Sequence, residues 1–252
     1  MFPSNFKPLG EFNLSRIGGD NDGGYLVESA SIEKTEALIS MGIGKNWQFE
    51  EDFISNKAIE IHAYDHTVRG AFWPKFFIKR FLSVLIGRFS APYNAVTTYK
   101  NFLSFFKDRA VLFFEKIGSE EDGATNLKKT IQRIKGEPIF LKIDIEGYEY
   151  QILDEIIVNS ALLSGMVIEF HKVSEHIDEI RSFIDAFELE LVHIHPNNNR
   201  IDEQGNPRAI EMSFAREPKK INETVNLPHP LDQLNVPRKE AVNLRFINSY
   251  FN

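Results

Sequence analysis

Cysteine is absent from the 252 residues, which excludes a disulfide framework, a thiolate metal site and a cysteine nucleophile. Long apolar runs are absent too. Nowhere do 18 such residues follow without interruption, so no segment has the composition to span a bilayer. The start, MFPSNFKPLGEF, lacks the charged residues and apolar run of a secretory leader, and a cytoplasmic protein is the plain expectation. Positive charge is in deficit. Lys and Arg number 29 against 36 Asp and Glu, and the net −7 argues against nucleic acid as the main partner. Hydrophobic content of 42% and charged content of 26% are ordinary for a globular chain, and at this length one α/β domain over residues 1–252 is the default.

One stretch lacks acid altogether. His66 to Lys107 contains no Asp or Glu but seven basic residues, so with a total of −7 the other segments together carry −14. The stretch is also rich in aromatic residues. Phe76, Phe77, Ile78, Phe81, Leu82, Leu85 and Ile86 make a broad apolar helical face beside Lys79 and Arg80, and Ala91-Pro92 interrupts it. The segment reads as an insert of residues 66–107 between the second and third strands. It suits a helical hairpin packed on the core with solvated basic ends, a lid on the acceptor side, or an element in peripheral contact with a membrane or glycolipid.

Elsewhere short apolar strands alternate with helical stretches, which predicts a mostly parallel sheet with helices on both faces. Arg16 to Val27, RIGGDNDGGYLV, is a glycine- and aspartate-rich loop, read as a hairpin or irregular turn. Ala37 to Met41 is a strand followed by Gly42-Ile43-Gly44 and a helix from Gln48 to Asn56, a layout that lets backbone approach a cofactor closely. Ile59 to Tyr64 is the next strand. It ends in Asp65, about 20 positions after the glycine turn, a spacing that suits a pair of ribose hydroxyls; a strand-end Asp is also an ordinary cap. Ala110 to Lys116 is the third strand, and the following helix, Asn126 to Ile134, has Thr125 as its cap. Leu163 to Phe170, Glu190 to His195 and Ala209 to Arg216 are further strands, with a helix from Ser174 to Phe187 between the first two. The tail, containing LPHPLDQL, reads as extended.

The most informative stretch is Pro138 to Tyr150, PIFLKIDIEGYEY. Ile139-Phe140-Leu141 enters a strand; Ile143 and Ile145 continue it on one face, and Lys142, Asp144 and Glu146 fall on the other. Gly147 breaks the run and a helical pattern starts at Tyr148. Two carboxylates thus stand at a strand's carboxyl end, where open α/β sheets bind ligands. Two more strands end alike, in Glu169 and His171 and in His193 and His195. If the last strand is antiparallel, Glu211 near its start reaches the same edge. The set suits a general base with hydrogen-bonding groups for an acceptor hydroxyl. It also suits a divalent cation held through oxygen and imidazole, although no dedicated metal-binding spacing is present. Singly, each residue is also an ordinary capping or solvent-facing group.

LKIDIEGYEYQIL, with RIGGDNDGGYLV, SMGIGKNWQFEEDF, VIEFH and HIHPNN, resembles the FkbM-type branch of S-adenosylmethionine-dependent methyltransferases between Arg16 and Pro230. The resemblance implies a class I, Rossmann-like sheet of seven strands, the last antiparallel, with S-adenosylmethionine over the first two. It implies methylation of a hydroxyl on a sugar, glycan or glycosylated metabolite. By position it sets Gly42 and Gly44 along the methionine part of the cofactor, Asp65 at the ribose, and Gly118 and Ser119 near the adenine. Asp144 and Glu146 fall at the methyl-transfer edge, and Glu169, His171 and His195 lie towards the acceptor. Ser40 stands where the family pattern often has an acidic residue, and Lys45-Asn46 replaces its third glycine region. Asp22 or Tyr25 of the early loop is therefore assigned a part in closing the site.

Methyl transfer from a sulfonium is an in-line displacement, in which the protein aligns the acceptor and removes its proton. His171 or His195 is the expected base, steered by Glu169 or Asp144. Two other readings stay open. One is a non-catalytic module docking on a glycolipid, an acidic polymer or a partner through residues 66–107. The other is a nicotinamide-dependent oxidoreductase, weakened because no Gly-x-Gly-x-x-Gly follows the first strand. The acceptor, the oligomeric state and metal dependence are not readable from the chain.

Overall fold

The computed structural model describes residues 1–247; the last five residues of the 1–252 span lie outside the described residues. A short β1 (Glu11–Phe12) precedes a hairpin of β2 (Leu14–Gly18) and β3 (Gly24–Glu28), and α1 (Ser29–Lys34) follows. The glycine- and aspartate-rich segment is the tip of that hairpin. Then come β4 (Ala37–Met41), α2 (Gln48–Asn56), β5 (Glu60–Tyr64), α3 (Phe72–Leu82), α4 (Ala91–Asp108) and β6 (Val111–Phe113). The second half contains α5 (Leu127–Arg133), β7 (Ile139–Ile143), α6 (Leu153–Val158), β8 (Leu163–His171), α7 (Ile177–Ala186), β9 (Glu190–Pro196), β10 (Ala209–Ala215) and β11 (Lys220–Asn222).

Seven strands form one sheet in the order β6-β5-β4-β7-β8-β10-β9, and β10 runs antiparallel to both neighbours. This is the seven-stranded, Rossmann-like, mostly parallel sheet with an antiparallel last strand that the resemblance implies. Every residue of β4 and β7 is buried, because helices cover both faces of a parallel sheet and leave no wet side. The chain winds outward one way from β4 through β5 to β6, and the other way from β7 through β8. The crevice between the carboxyl ends of β4 and β7 is therefore the point where strand order reverses, the usual ligand position in such sheets.

Local departures from the sequence reading have local causes. β7 ends at Ile143 rather than continuing through Ile145, since Glu146 and Gly147 take left-handed backbone at φ 55° and 104°. The segment after them is a 3-10 turn, Glu149–Gln151, before α6 begins. β6 spans only three residues at the sheet edge, which releases Glu115 and Lys116 from the ladder. Asn126, not Thr125, caps α5, its side-chain oxygen accepting from the Lys129 N–H.

Residues 66–107 form a helical hairpin: α3, a 3-10 turn Ser83–Ile86, Gly87 in the left-handed region, then α4. Its root is anchored by aromatic packing. Trp73 stacks obliquely on Tyr99 and Phe102 at 4.8 Å, and Phe102 meets Trp47 edge-on at 5.6 Å. Trp47 immediately precedes α2, so the hairpin leans on the segment that follows the glycine turn.

Candidate active site

The glycine turn and the end of β7 fit against each other. Asp144 donates its N–H to the Met41 carbonyl at 2.9 Å, and Gly42 donates to the Tyr64 carbonyl at 2.9 Å. Gly42 has φ 83°, and a Cβ there would lie 1.7 Å from the Asp144 carbonyl oxygen. Glycine is required by both conformation and space. Gly44 also has positive φ, but nothing within 4 Å faces its Cβ position, because it borders an open cleft. That cleft holds about 480 Å³ and is walled by Asp22 and Tyr25 of the hairpin, the 42–46 turn, Asp65 to Thr67, Phe72 of α3, Glu115 to Ile117, Lys142 and Asp144 to Glu146. Its size is that of a small-molecule cofactor site.

Asp65 lies at the cleft as an organiser of the turn. One carboxylate oxygen accepts from the N–H groups of Ile43 at 3.0 Å and Gly44 at 2.7 Å; the other accepts from the N–H of Thr67 at 2.7 Å and its hydroxyl at 2.6 Å. Burial raises its pKa, yet these four bonds outweigh burial and hold it below the usual carboxylate range. The acid missing at Ser40 arrives from α2. Glu50, buried, accepts from the Ser40 hydroxyl and lies near the buried ammonium of Lys142, which donates to the Gly42 carbonyl. The turn is thus held from beneath by a carboxylate, a hydroxyl and an ammonium that come from three elements.

Beside the cleft is a cluster of carboxylates around His171. Nδ1 of its imidazole sits 2.8 Å from the fully buried carboxylate of Glu149. Nε2 faces Glu146 at 3.6 Å, Glu169 at 3.8 Å and Asp144 at 3.9 Å. Burial disfavours the imidazolium, but the Glu149 bond and the charges of Glu169, Glu149 and Asp144 prevail and raise its pKa to about 9. At neutral pH His171 is a cation with no lone pair to act as a base. Glu149 also accepts from the N–H groups of Ile145 at 3.3 Å and Gly147 at 3.2 Å, so one carboxylate shapes the turn after β7 and charges the histidine. Glu169 is pushed well above the usual carboxylate range, chiefly by burial and then by Asp144 and Glu211. Asp144 both lines the cleft and accepts from the Tyr25 hydroxyl at 3.4 Å.

A second polar group continues the first across the sheet. Glu211 on β10 stands opposite Glu169 and His195, and burial raises its pKa to about 7. His195 Nε2 lies 3.2 Å from the Asn235 amide oxygen, and the Asn235 amide donates to Glu211 at 2.7 Å. His193 Nε2 lies 2.9 Å from Asp232. His195 Nδ1 is 3.2 Å from the same oxygen but out of line for a hydrogen bond. Asp232 is held well below the usual range, since these imidazoles outweigh its burial. Asn197 donates to Glu169 at 2.8 Å. Two trios present ligand atoms within 4.8 Å of one another and could take a divalent cation: Asp144 with Glu169 and His171, and His193 with His195 and Asp232. At the first, a cation would have to displace the proton of His171.

The structure therefore brings Asp22, Tyr25, Gly42, Gly44, Asp65, Asp144 and Glu146 to one cleft. His171 and Glu169 are joined to it through Asp144. His195 lies one step further, behind Glu211, and is itself buried. Gly118 and Ser119 are not among the cleft-lining residues; that wall is built by Glu115, Lys116 and Ile117, and Ser119 instead donates its N–H to Gln151 at 3.0 Å. Glu50, Glu149, Asp232 and Asn235 were not singled out from the sequence. Glu149 sits within the most informative stretch, and Asp232 and Asn235 within the proline-marked tail, so the signal was present as position without direction.

Residues 93–193 match the family model described as the methyltransferase FkbM domain. The match spans α4 to β9 and contains Asp144, Glu149, Glu169 and His171; the glycine turn and tail lie outside it. No curated protein matches. Among solved structures, the chain is similar to precorrin-6y C5,15-methyltransferase from Geobacter metallireducens, at 10% identity over 75% of this chain and 87% of that one, with a TM-score of 0.38. It is likewise similar to the fibrillarin/Nop5p complex, at 10% identity over 73% of each chain and a TM-score of 0.38. The plantazolicin methyltransferase BamL, solved with a desmethyl analogue and SAH, matches at 8% identity over 72% of this chain and 77% of that one, with a TM-score of 0.35.

Proposed function

We infer that this chain, whose residues 93–193 match the FkbM methyltransferase domain model, is an S-adenosylmethionine-dependent enzyme that methylates a hydroxyl on a sugar, glycan or glycosylated metabolite. The observation that carries the reading is the apposition of Gly42 and Asp144: a glycine cradle and a carboxylate open into one cleft from the ends of adjacent strands. The cradle suits the cofactor, because Gly44 leaves room for a ligand where any other residue would project a side chain. When bound, the cofactor supplies an electrophilic methyl group on a sulfonium and leaves as a neutral thioether.

The remaining work falls to the chain. Ile43 and Gly44, held by Asp65, keep the turn in shape; Tyr25 and Asp22 close the cleft from the hairpin. In this reading Asp144 orients the acceptor hydroxyl and takes its proton as the oxygen–methyl bond forms and the sulfur–methyl bond breaks. His171, as a cation 3.9 Å from Asp144, holds that carboxylate ionised and oriented before the transfer; the proton that Asp144 takes leaves it neutral as the sulfonium charge is lost. This moves the base from histidine to carboxylate, for the reason that both imidazoles are drawn towards their protonated forms by neighbouring acids.

Isothermal titration with S-adenosylmethionine and S-adenosylhomocysteine, followed by turnover on a panel of hydroxylated sugars, tests the proposal. Saturable binding by wild type is expected to vanish in Gly42→Ala. Asp144→Asn is expected to keep binding within about threefold while turnover falls on the order of 100-fold or more, the usual size of a general-base effect. Absence of cofactor binding by folded wild-type protein would sink the reading and leave the non-catalytic docking module in its place.

A further inference from the structure

We propose that the 66–107 hairpin, through its exposed tip, is a membrane-docking element that seats this protein on an anionic lipid surface. Ile78, Phe81, Leu82 and Leu85 recur at helical spacing and all are exposed, with Phe89 continuing the stripe beyond the Gly87 turn. Leu85 is 83% exposed and Phe89 78%. Large apolar side chains gathered at one tip are unusual on a soluble surface and mark a contact that the chain alone does not satisfy. Lys75, Lys79 and Arg88 flank the stripe and are exposed, and Arg80 stacks over Phe76 at 5.2 Å.

Charge selects the occupant. With no acidic residue between His66 and Lys107, two copies meeting through this face would bring like charges together with nothing to pair them, which is costly. The bases of a nucleic acid need flat rings for stacking, whereas the most exposed residues here include the aliphatic Leu85 and Ile86. An apolar stripe bordered by lysine and arginine fits an anionic headgroup layer with the acyl boundary beneath it. The element would lie on such a surface, since no helix among the described residues is long and apolar enough to cross a membrane.

The root of the hairpin ties this contact to the cleft. Phe72, the first residue of α3, lines the cleft beside His66 and Thr67, and Trp73 and Phe102 lock α3 and α4 to Trp47. The element proposed to meet the membrane is thus the same one whose root forms part of the cleft wall. Resting on the methyltransferase reading above, the acceptor class that follows is a hydroxylated headgroup or glycan carried on a lipid.

Co-sedimentation with phosphatidylcholine vesicles, with and without phosphatidylglycerol, tests the docking in the absence of any cofactor. Wild type is expected to sediment with the phosphatidylglycerol vesicles and to be released by high salt. A Leu85→Ser, Ile86→Ser, Phe89→Ser variant is expected to bind at least tenfold more weakly, and so is a separate Lys75→Gln, Lys79→Gln, Arg88→Gln variant. Titration of the serine variant with S-adenosylhomocysteine should match wild type and reports on the cofactor reading alone. Failure of wild type to bind either vesicle, or wild-type binding by the serine variant, would overturn the docking. So would a wild-type dimer that the serine changes dissociate, since the face would then be a self-interface.

Discussion

His171 illustrates how a residue's role follows from its neighbours rather than its type. Its pKa is raised from 6.5 to about 9, so the charged form favours the fold. That contribution is complete below about pH 6.5 and lost as pH rises through about 9. Wild type is therefore expected to lose on the order of 2 kcal/mol more than His171→Gln between those limits, allowing for partial exposure of the side chain. Urea denaturation at several pH values reads this directly, and parallel pH profiles for the two proteins would refute it. Lys142 is the complementary case. A lysine inside an apolar strand is costly unless paired, and here the Gly42 carbonyl and the charge of Glu50 compensate it.

The elements that complete the site come from the two ends of the chain. The β2–β3 hairpin reaches the cleft with Asp22 and Tyr25, and the tail lies beside it: Gln233 accepts from the Asn21 N–H at 2.8 Å and donates to Asp20 at 3.3 Å. The same tail places Asp232 against His193 and His195, both nearly buried. Removing the Asp232 carboxylate leaves two buried imidazoles without the acceptor they face. Asp232→Asn is expected to cost about 3 kcal/mol at neutral pH, measured by chemical denaturation. A loss below about 0.5 kcal/mol, the size of an ordinary surface change, would mean that the tail is not held by this contact.

Across the whole molecule, charge is divided between a basic hairpin and an acidic remainder, and the cleft opens where the hairpin roots. A ligand that binds only the folded state stabilises it by mass action, about 2.7 kcal/mol at a hundredfold excess over Kd. S-adenosylhomocysteine is expected to raise the Tm of wild type and leave that of Gly42→Ala unchanged. Equal shifts in the two proteins would place the binding site elsewhere. The measurement needs no acceptor and so separates cofactor binding from acceptor identity.

Much of this architecture was legible along the chain. Short apolar runs alternating with helical stretches specify a mostly parallel sheet, because strands covered by helices on both faces read as near-continuous apolar segments. The glycines of the 42–44 turn and the acids after β7 mark the binding edge through the same local logic. The FkbM resemblance supplied the antiparallel final strand. What the linear order could not convey is which groups meet across it. Glu50 fills the place of the acid missing at Ser40, Glu149 favours the charged form of His171, and Asp232 and Asn235 reach a strand some forty residues earlier. Such contacts depend on distance in space, and a carboxylate's protonation depends on burial and on every charge nearby. Periodicity carries neither quantity, so the choice between base and cation at His171 was made only when the chain had folded around it.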